Sequence, residues 1–138
     1  MKWTLMMIPL LTLLGCTGER PASLGVSDGQ LGTCPDSPNC VSSFETRDSH
    51  RIAPLTATLD QVRAAVSAMP GAQIISEQDQ YLYAEFTSRL MRFVDDVEFL
   101  ADPATGQVQV RSASRLGYGD MGVNRARIEE IRATVEVP

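Results

Sequence analysis

Three stretches, residues 81–88, 92–100 and 107–114, alternate apolar with polar side chains, and this period of two constrains the fold more than any other feature of the chain. A strand of that pattern buries one face and leaves the other polar. Leu82, Ala84, Phe86, Phe93, Val97, Phe99, Val108 and Val110 make the apolar side. Tyr81, Tyr83, Glu85, Asp96, Glu98, Gln109, Arg111 and Arg115 make the opposite one. Asp102-Pro103-Ala104-Thr105-Gly106 is a hairpin connection. Residues 73–76 add a fourth short run, and residues 50–55 are a candidate edge strand, because Pro54 is tolerated only at an edge.

Helical spacing brackets these strands. Thr58 and Gln61 form a capping-box pattern ahead of Leu59, Val62, Val66 and Met69 on one face, and Pro70-Gly71 stops that helix. A last helix over residues 124–136 places Ile128, Ile131 and Val135 together. The predicted fold is therefore α+β, an antiparallel sheet of about four strands with two helices packed on one face.

The chain opens on Met1-Lys2, runs apolar from Leu5 to Leu14 apart from Pro9 and Thr12, and reaches Gly15-Cys16. The apolar run is about ten residues, half of what a transmembrane helix needs, and has the shape of a secretory leader. Leu13 three positions before Cys16, with small Gly15 between, resembles the lipobox of bacterial lipoproteins. Acylation of Cys16 and cleavage before it are expected, against the plainer alternative of an ordinary leader cut nearby. The expected organisation is a signal peptide at residues 1–15, a lipidated N-terminus and flexible tether at 16–27, and a single domain at 28–138. Thr17 stands where aspartate would signal inner-membrane retention, so the periplasmic face of the outer membrane is the expected location.

Removing Lys2 with the leader takes the net charge from -5 to -6, which disfavours nucleic acid and anionic lipid headgroups as partners of the folded surface. Membrane contact is expected through the acyl anchor. With Cys16 acylated, Cys34 and Cys40 remain, and in an oxidising compartment they are expected to pair. A metal site would need more ligands than His50 and scattered carboxylates supply, and the spacing is not that of a redox CxxC pair. No cofactor is expected.

Both signs of charge fall on the polar sheet face, where Glu85, Asp96, Glu98, Arg111 and Arg115 can pair across strands. Residues 111–127, RSASRLGYGDMGVNRAR, continue from there through Gly117, Gly119 and Gly122 into the last helix. Asp120 or Asn124 is suited to cap that helix, and Arg111, Arg115 and Arg125 are expected to converge near its N-terminus as an anion site. The alternative is a glycine-rich connector whose arginines are tied to Asp95, Asp96 and Glu98 as a structural network. An anionic small molecule, a glycan or an envelope protein is the expected partner of a non-catalytic binding module.

Catalysis is poorly provided for. No GxSxG elbow, HExxH motif or P-loop is present, and adjacent Asp95 and Asp96 point to opposite faces of a strand. The alternative function is an envelope hydrolase in which His50 serves as base beside Asp96.

The strings CPDSPNCVSS (34–43), FTSRLMRFVDDVEF (86–99) and RSASRLGYGDMGVNRARIEEIR (111–132) together resemble the family called domain of unknown function 1499, over about residues 24–135. The resemblance implies membership of that family, and it implies no activity, ligand or catalytic residue.

Overall fold

The computed structural model describes residues 17–136, so the leader and Cys16 lie outside the described residues. The elements in chain order are β1 (Val26–Ser27), β2 (Gln30–Leu31), β3 (Cys40–Ser42), α1 (Leu59–Ser67), β4 (Ala72–Gln78), β5 (Tyr81–Thr87), β6 (Val94–Asp102), β7 (Gln107–Ser114) and α2 (Val123–Val135). The fold is α+β. Its main sheet has five strands in the order β3-β7-β6-β5-β4, every neighbour antiparallel, and β1 with β2 forms a separate hairpin.

The alternating pattern places the core where expected. Leu82, Ala84 and Phe86 of β5, Val97 and Phe99 of β6, and Val108 and Val110 of β7 cluster with Val62, Ala65 and Val66 of α1 and Ile128 and Ile131 of α2. Helix α1 starts on the capping box: Thr58 Oγ1 accepts from the Gln61 amide, and the Gln61 side chain accepts from the Thr58 amide. Gly71, at φ 78°, turns the chain into β4, and a Cβ there would lie 2.5 Å from the Thr87 carbonyl oxygen. Gly106, at φ 69°, closes the β6–β7 hairpin with its amide on the Asp102 carbonyl at 2.9 Å.

Three expectations are corrected. The fifth strand is Cys40–Ser42, which pairs with β7 in place of the proposed edge strand at residues 50–55; that segment makes only two isolated bridges, Ser42 with Arg51 and Leu55 with Val108. Phe93 precedes β6 and is half exposed, because the β5–β6 connection closes between Ser88 and Phe93 and leaves Arg89, Leu90, Met91 and Arg92 as its tip. Residues 17–27, expected as a flexible tether, lie across the polar face of the sheet with the β1–β2 hairpin that follows them. The hairpin turns at Asp28 and Gly29, with φ of 52° and 74°, the double positive φ of a two-residue type I′ connection, and Leu31 is only 3% exposed.

Candidate functional site

Covering the polar sheet face changes what its charges are. Burial in a low-dielectric interior is tolerable for a charged group only if partners replace its water. Asp96 and Glu98 are 1% and 0% exposed, and they meet that requirement differently.

Asp96 is fully met. Arg115 Nη2 donates to Asp96 Oδ1 at 2.6 Å and to Glu85 Oε1 at 2.7 Å, Arg115 Nε donates to Asp96 Oδ2 at 3.2 Å, and the Tyr83 hydroxyl donates to Asp96 Oδ1 at 2.6 Å. From the covering segment, Arg20 Nε donates to Glu85 Oε1 at 2.6 Å. Burial pushes the Glu85 carboxyl up, but hydrogen bonds from Arg20, Arg115 and Tyr83 outweigh it and bring the carboxyl down to about 2. The bond to Asp96 raises the Arg115 guanidinium, and burial followed by the neighbouring carboxylates raises the Tyr83 hydroxyl.

Glu98 is less well served. Its Oε1 accepts from the Gly25 amide at 2.7 Å and the Tyr81 hydroxyl at 2.9 Å, which again ties the covering segment to the sheet. Its cation, Arg111, stands opposite it across β6 and β7, yet Arg111 Nη1 lies 3.4 Å from Glu98 Oε2. Burial dominates and raises the Glu98 carboxyl. Arg111 itself is 6% exposed, reaches the Thr33 carbonyl only at 3.5 Å, and its Nε has no partner. A half-open hollow of about 420 Å³ lies beside the guanidinium, walled by Pro21, Ser23, Thr33, Pro35, Asp96 and Arg115.

The other expected site residues lie elsewhere. Arg125 does not converge with Arg111 and Arg115; it donates to the carbonyls of Arg51 at 2.9 Å and Ser49 at 3.1 Å. Gly122 is the N-cap of α2 and offers no side chain, while Asp120, two residues earlier, accepts from the amides of Gly122 at 2.9 Å and Asn124 at 3.0 Å; burial opposes that charge and these bonds lower its carboxyl. Asn124 is completely buried on the core side of the sheet. Its Nδ2 donates to the Asn39 carbonyl, Ser114 Oγ and Asp120 Oδ2, and its Oδ1 accepts from Ser112 and Arg127.

Arg127, not among the expected site residues, completes this second network. It donates to Asp95 Oδ2 at 2.5 Å and to Ser112 Oγ at 3.1 Å while lying 4.6 Å over the Phe86 ring. Its signal was helical spacing: Arg127 stands three residues after Asn124 and so shares its face, whereas Arg125 is turned away. Asp95 and Asp96 are thereby committed to opposite sides of β6.

His50 does not meet Asp96. The His50 carbonyl accepts from the Ser42 amide along the outer edge of β3, and the ring Nδ1 lies 2.9 Å from the Cys40 carbonyl. Asp96 is in β6, with β3 and β7 between, roughly 14 Å away at ordinary strand spacing. Cys34 and Cys40 form a disulfide with Cα atoms 5.6 Å apart. Among the described residues no group of three or more His, Cys, Asp or Glu is placed to hold a metal ion.

No curated protein and no solved structure matches the chain. The sheet and helix residues of both networks, from Asn39 to Arg127, fall within residues 30–135, which match one family model, while Arg20 and Gly25 of the covering segment precede it; the chain belongs to that family, described as protein of unknown function (DUF1499).

Proposed function

We propose that the chain is a lipid-anchored, non-catalytic module of the cell envelope that binds an anionic group, a carboxylate or a phosphate, in the hollow beside Arg111. The observation that carries this reading is the state of the Arg111 guanidinium: buried, held by two long contacts, and with Nε unpartnered. A buried donor without an acceptor costs about 1–3 kcal/mol, more when charged, and Arg111 lines the hollow with a guanidinium whose other contacts are long, so an anion there gives it a closer acceptor. The local charge agrees, because Arg115 and Arg20 are matched by Asp96 and Glu85, while the carboxyl facing Arg111 is the one that burial pushes toward its neutral form. The hollow is within the size range of small-ligand pockets.

The anchor half of the proposal rests on residues 1–16. The leader is removed, Cys16 carries acyl chains such as palmitate, and the domain stands at the periplasmic face of the outer membrane. The partner is a small molecule, glycan or envelope protein that presents the anionic group.

The test is an NMR titration of the isotope-labelled mature protein with inorganic phosphate and, separately, with acetate. Saturable shifts at the Thr33 and Ala113 amides and at the Arg111 Nε–H, absent in Arg111→Met, are expected at millimolar anion. A spectrum that does not move, or that moves equally in Arg111→Met, overturns the binding reading. The acyl mass on Cys16 of protein extracted from membranes tests the anchor independently.

A further inference from the structure

One end of the sheet gathers most of the apolar surface that the fold leaves uncovered. The ends of β5 and β7 and the start of β6 coincide there, since Thr87 pairs with Val94 and Asp95 with Ser114. Of the eight large hydrophobic residues exposed among those described, seven lie in or just after the two connections at this end, and Val26 alone lies elsewhere. Leu90 is 87% exposed, Met91 68%, Tyr118 75% and Met121 fully exposed, with Phe93 and Leu116 about half exposed. Water-facing apolar groups on this scale mark a surface meant to be covered.

Two cations at this end differ from all the others in the domain. Arg20, Arg47, Arg51, Arg63, Arg111, Arg115, Arg127 and Arg132 pair with carboxylates, and Arg125 holds two carbonyls. Among the described arginines only Arg89 and Arg92 have no such partner, and they flank Leu90-Met91 at the tip of the β5–β6 connection.

The described chain begins at the same end. Thr17, Gly18 and Glu19 share a hollow with Thr87, Arg92 and Val94, and a Cβ on Gly18 would meet the Leu116 side chain at 3.0 Å. Cys16 is joined to Thr17 by one peptide unit, a Cα–Cα span of about 3.8 Å. Arg20 on Glu85 and the Gly25 amide on Glu98 fasten the segment that follows, so it is no free leash. Acyl chains on Cys16 would therefore enter the bilayer beside this end of the domain.

We infer that this end, with Leu90, Met91, Tyr118 and Met121 at its tips and Arg89 and Arg92 beside them, is a bilayer-contacting surface that seats the domain in a fixed orientation on the membrane. The inference rests on the anchor reading above for its geometry. Apolar and aromatic tips suit the headgroup–acyl boundary, and paired arginines on long stems reach phosphates while their methylenes stay in apolar surroundings. The acidic charge of the whole chain does not oppose this, because exposed charges farther than a Debye length from the surface are largely screened.

The test places a spin label on the full acylated lipoprotein in phosphatidylcholine–phosphatidylglycerol vesicles, through Leu90→Cys, Met121→Cys or, in the turn at the far end of the sheet, Asp79→Cys. Accessibility to oxygen relative to a water-soluble nickel chelate is expected to be several-fold higher at residues 90 and 121 than at 79. Equal values at all three overturn the surface and leave the anchor standing. A label at 90 or 121 shielded from both relaxants reports a protein partner, a second copy of the chain included, and also overturns it. If mass spectrometry finds no acyl group on Cys16, the surface is read from flotation of that protein with the same vesicles: flotation lost in Leu90→Asp with Met91→Asp supports it, and no flotation overturns it.

Discussion

Strand β6 carries two aspartates in succession, and each anchors a buried polar network on its own side of the sheet. On the core side Asp95, Asn124, Arg127, Ser112 and Ser114 satisfy one another, and both nitrogen- and oxygen-side valences of the Asn124 amide are used. On the outer side Asp96 and Glu85 are equally well met by Arg115, but the adjoining pair, Glu98 with Arg111, is stretched, leaves Arg111 Nε without a partner, and borders a hollow that Arg111 helps to line. The two differ in what covers them. A helix brings side chains at fixed spacing onto the core-side network, whereas the outer one is covered by an extended segment whose backbone supplies few groups. The closed network holds the fold, and the open one has room for a ligand.

Substitution should separate the two sharply. Arg127→Ala leaves Asp95 in the interior without its cation, and uncompensated buried charges cost about 3–5 kcal/mol. Arg111→Met also takes the cation from buried Glu98, but the Gly25 amide and Tyr81 hydroxyl stay on that carboxyl and burial already raises it toward its neutral form, so the expected cost is clearly smaller than for Arg127→Ala. Urea unfolding of the two variants measures the contrast. Equal losses would mean that Arg111 is as structural as Arg127, and the anion site would lose its basis.

Much of this was legible in residue order. Period-two alternation placed Leu82, Ala84, Val97, Phe99, Val108 and Val110 in the core and put Glu85, Asp96, Glu98, Arg111 and Arg115 on one face, because parity alone decides both. Thr58 with Gln61 located the start of α1 through local hydrogen bonds. Coverage of the polar face was not legible. It depends on contacts more than sixty residues apart, such as Arg20 with Glu85 and Gly25 with Glu98, made by a segment whose two strands are two residues each and carry no period. Asp28-Gly29 was the one local sign that the segment folds back. Strand β3 escaped for the same reason, since three residues between turns show no alternation.

The Cys34–Cys40 crosslink joins the two regions and sharpens the comparison. Cys34 follows Thr33, which touches Arg111, while Asn39 gives its carbonyl to Asn124 and to the Ser114 amide. Closing this short loop is worth about 2 kcal/mol in the chain-entropy account. Replacing both cysteines with alanine should lower stability by about that amount. Hydrogen exchange should speed more at the Gly25 amide, which rests on Glu98, than at Ser114, because only the latter keeps a saturated network behind it. Equal acceleration would show that the outer network is not the looser one.

The smallest effect is a pH response confined to the covering segment. The folded Glu85 carboxyl titrates at about 2, below its ordinary value of 4.5, so the stability it lends is fully present above about 4.5 and is lost as pH falls through about 2. Glu98 has the opposite sign: its folded carboxyl is raised, so it takes up its proton first as pH falls, and it does so without loss of stability. Acidification from neutrality to pH 4.5 should therefore leave residues 17–25 in place, and further acidification should release them by breaking the Arg20–Glu85 tie before the core opens. Half of the Arg20 side chain is exposed, so solvent screens this tie and the response should be shallow. The check is hydrogen exchange at the Gly25 amide between pH 5 and pH 2, compared with Glu85→Gln, in which the acid-dependent component should vanish. If the Gly25 amide and the core amides lose protection together in the wild-type chain, the covering segment is part of the cooperative core, and the two faces of β6 do not differ as their networks imply.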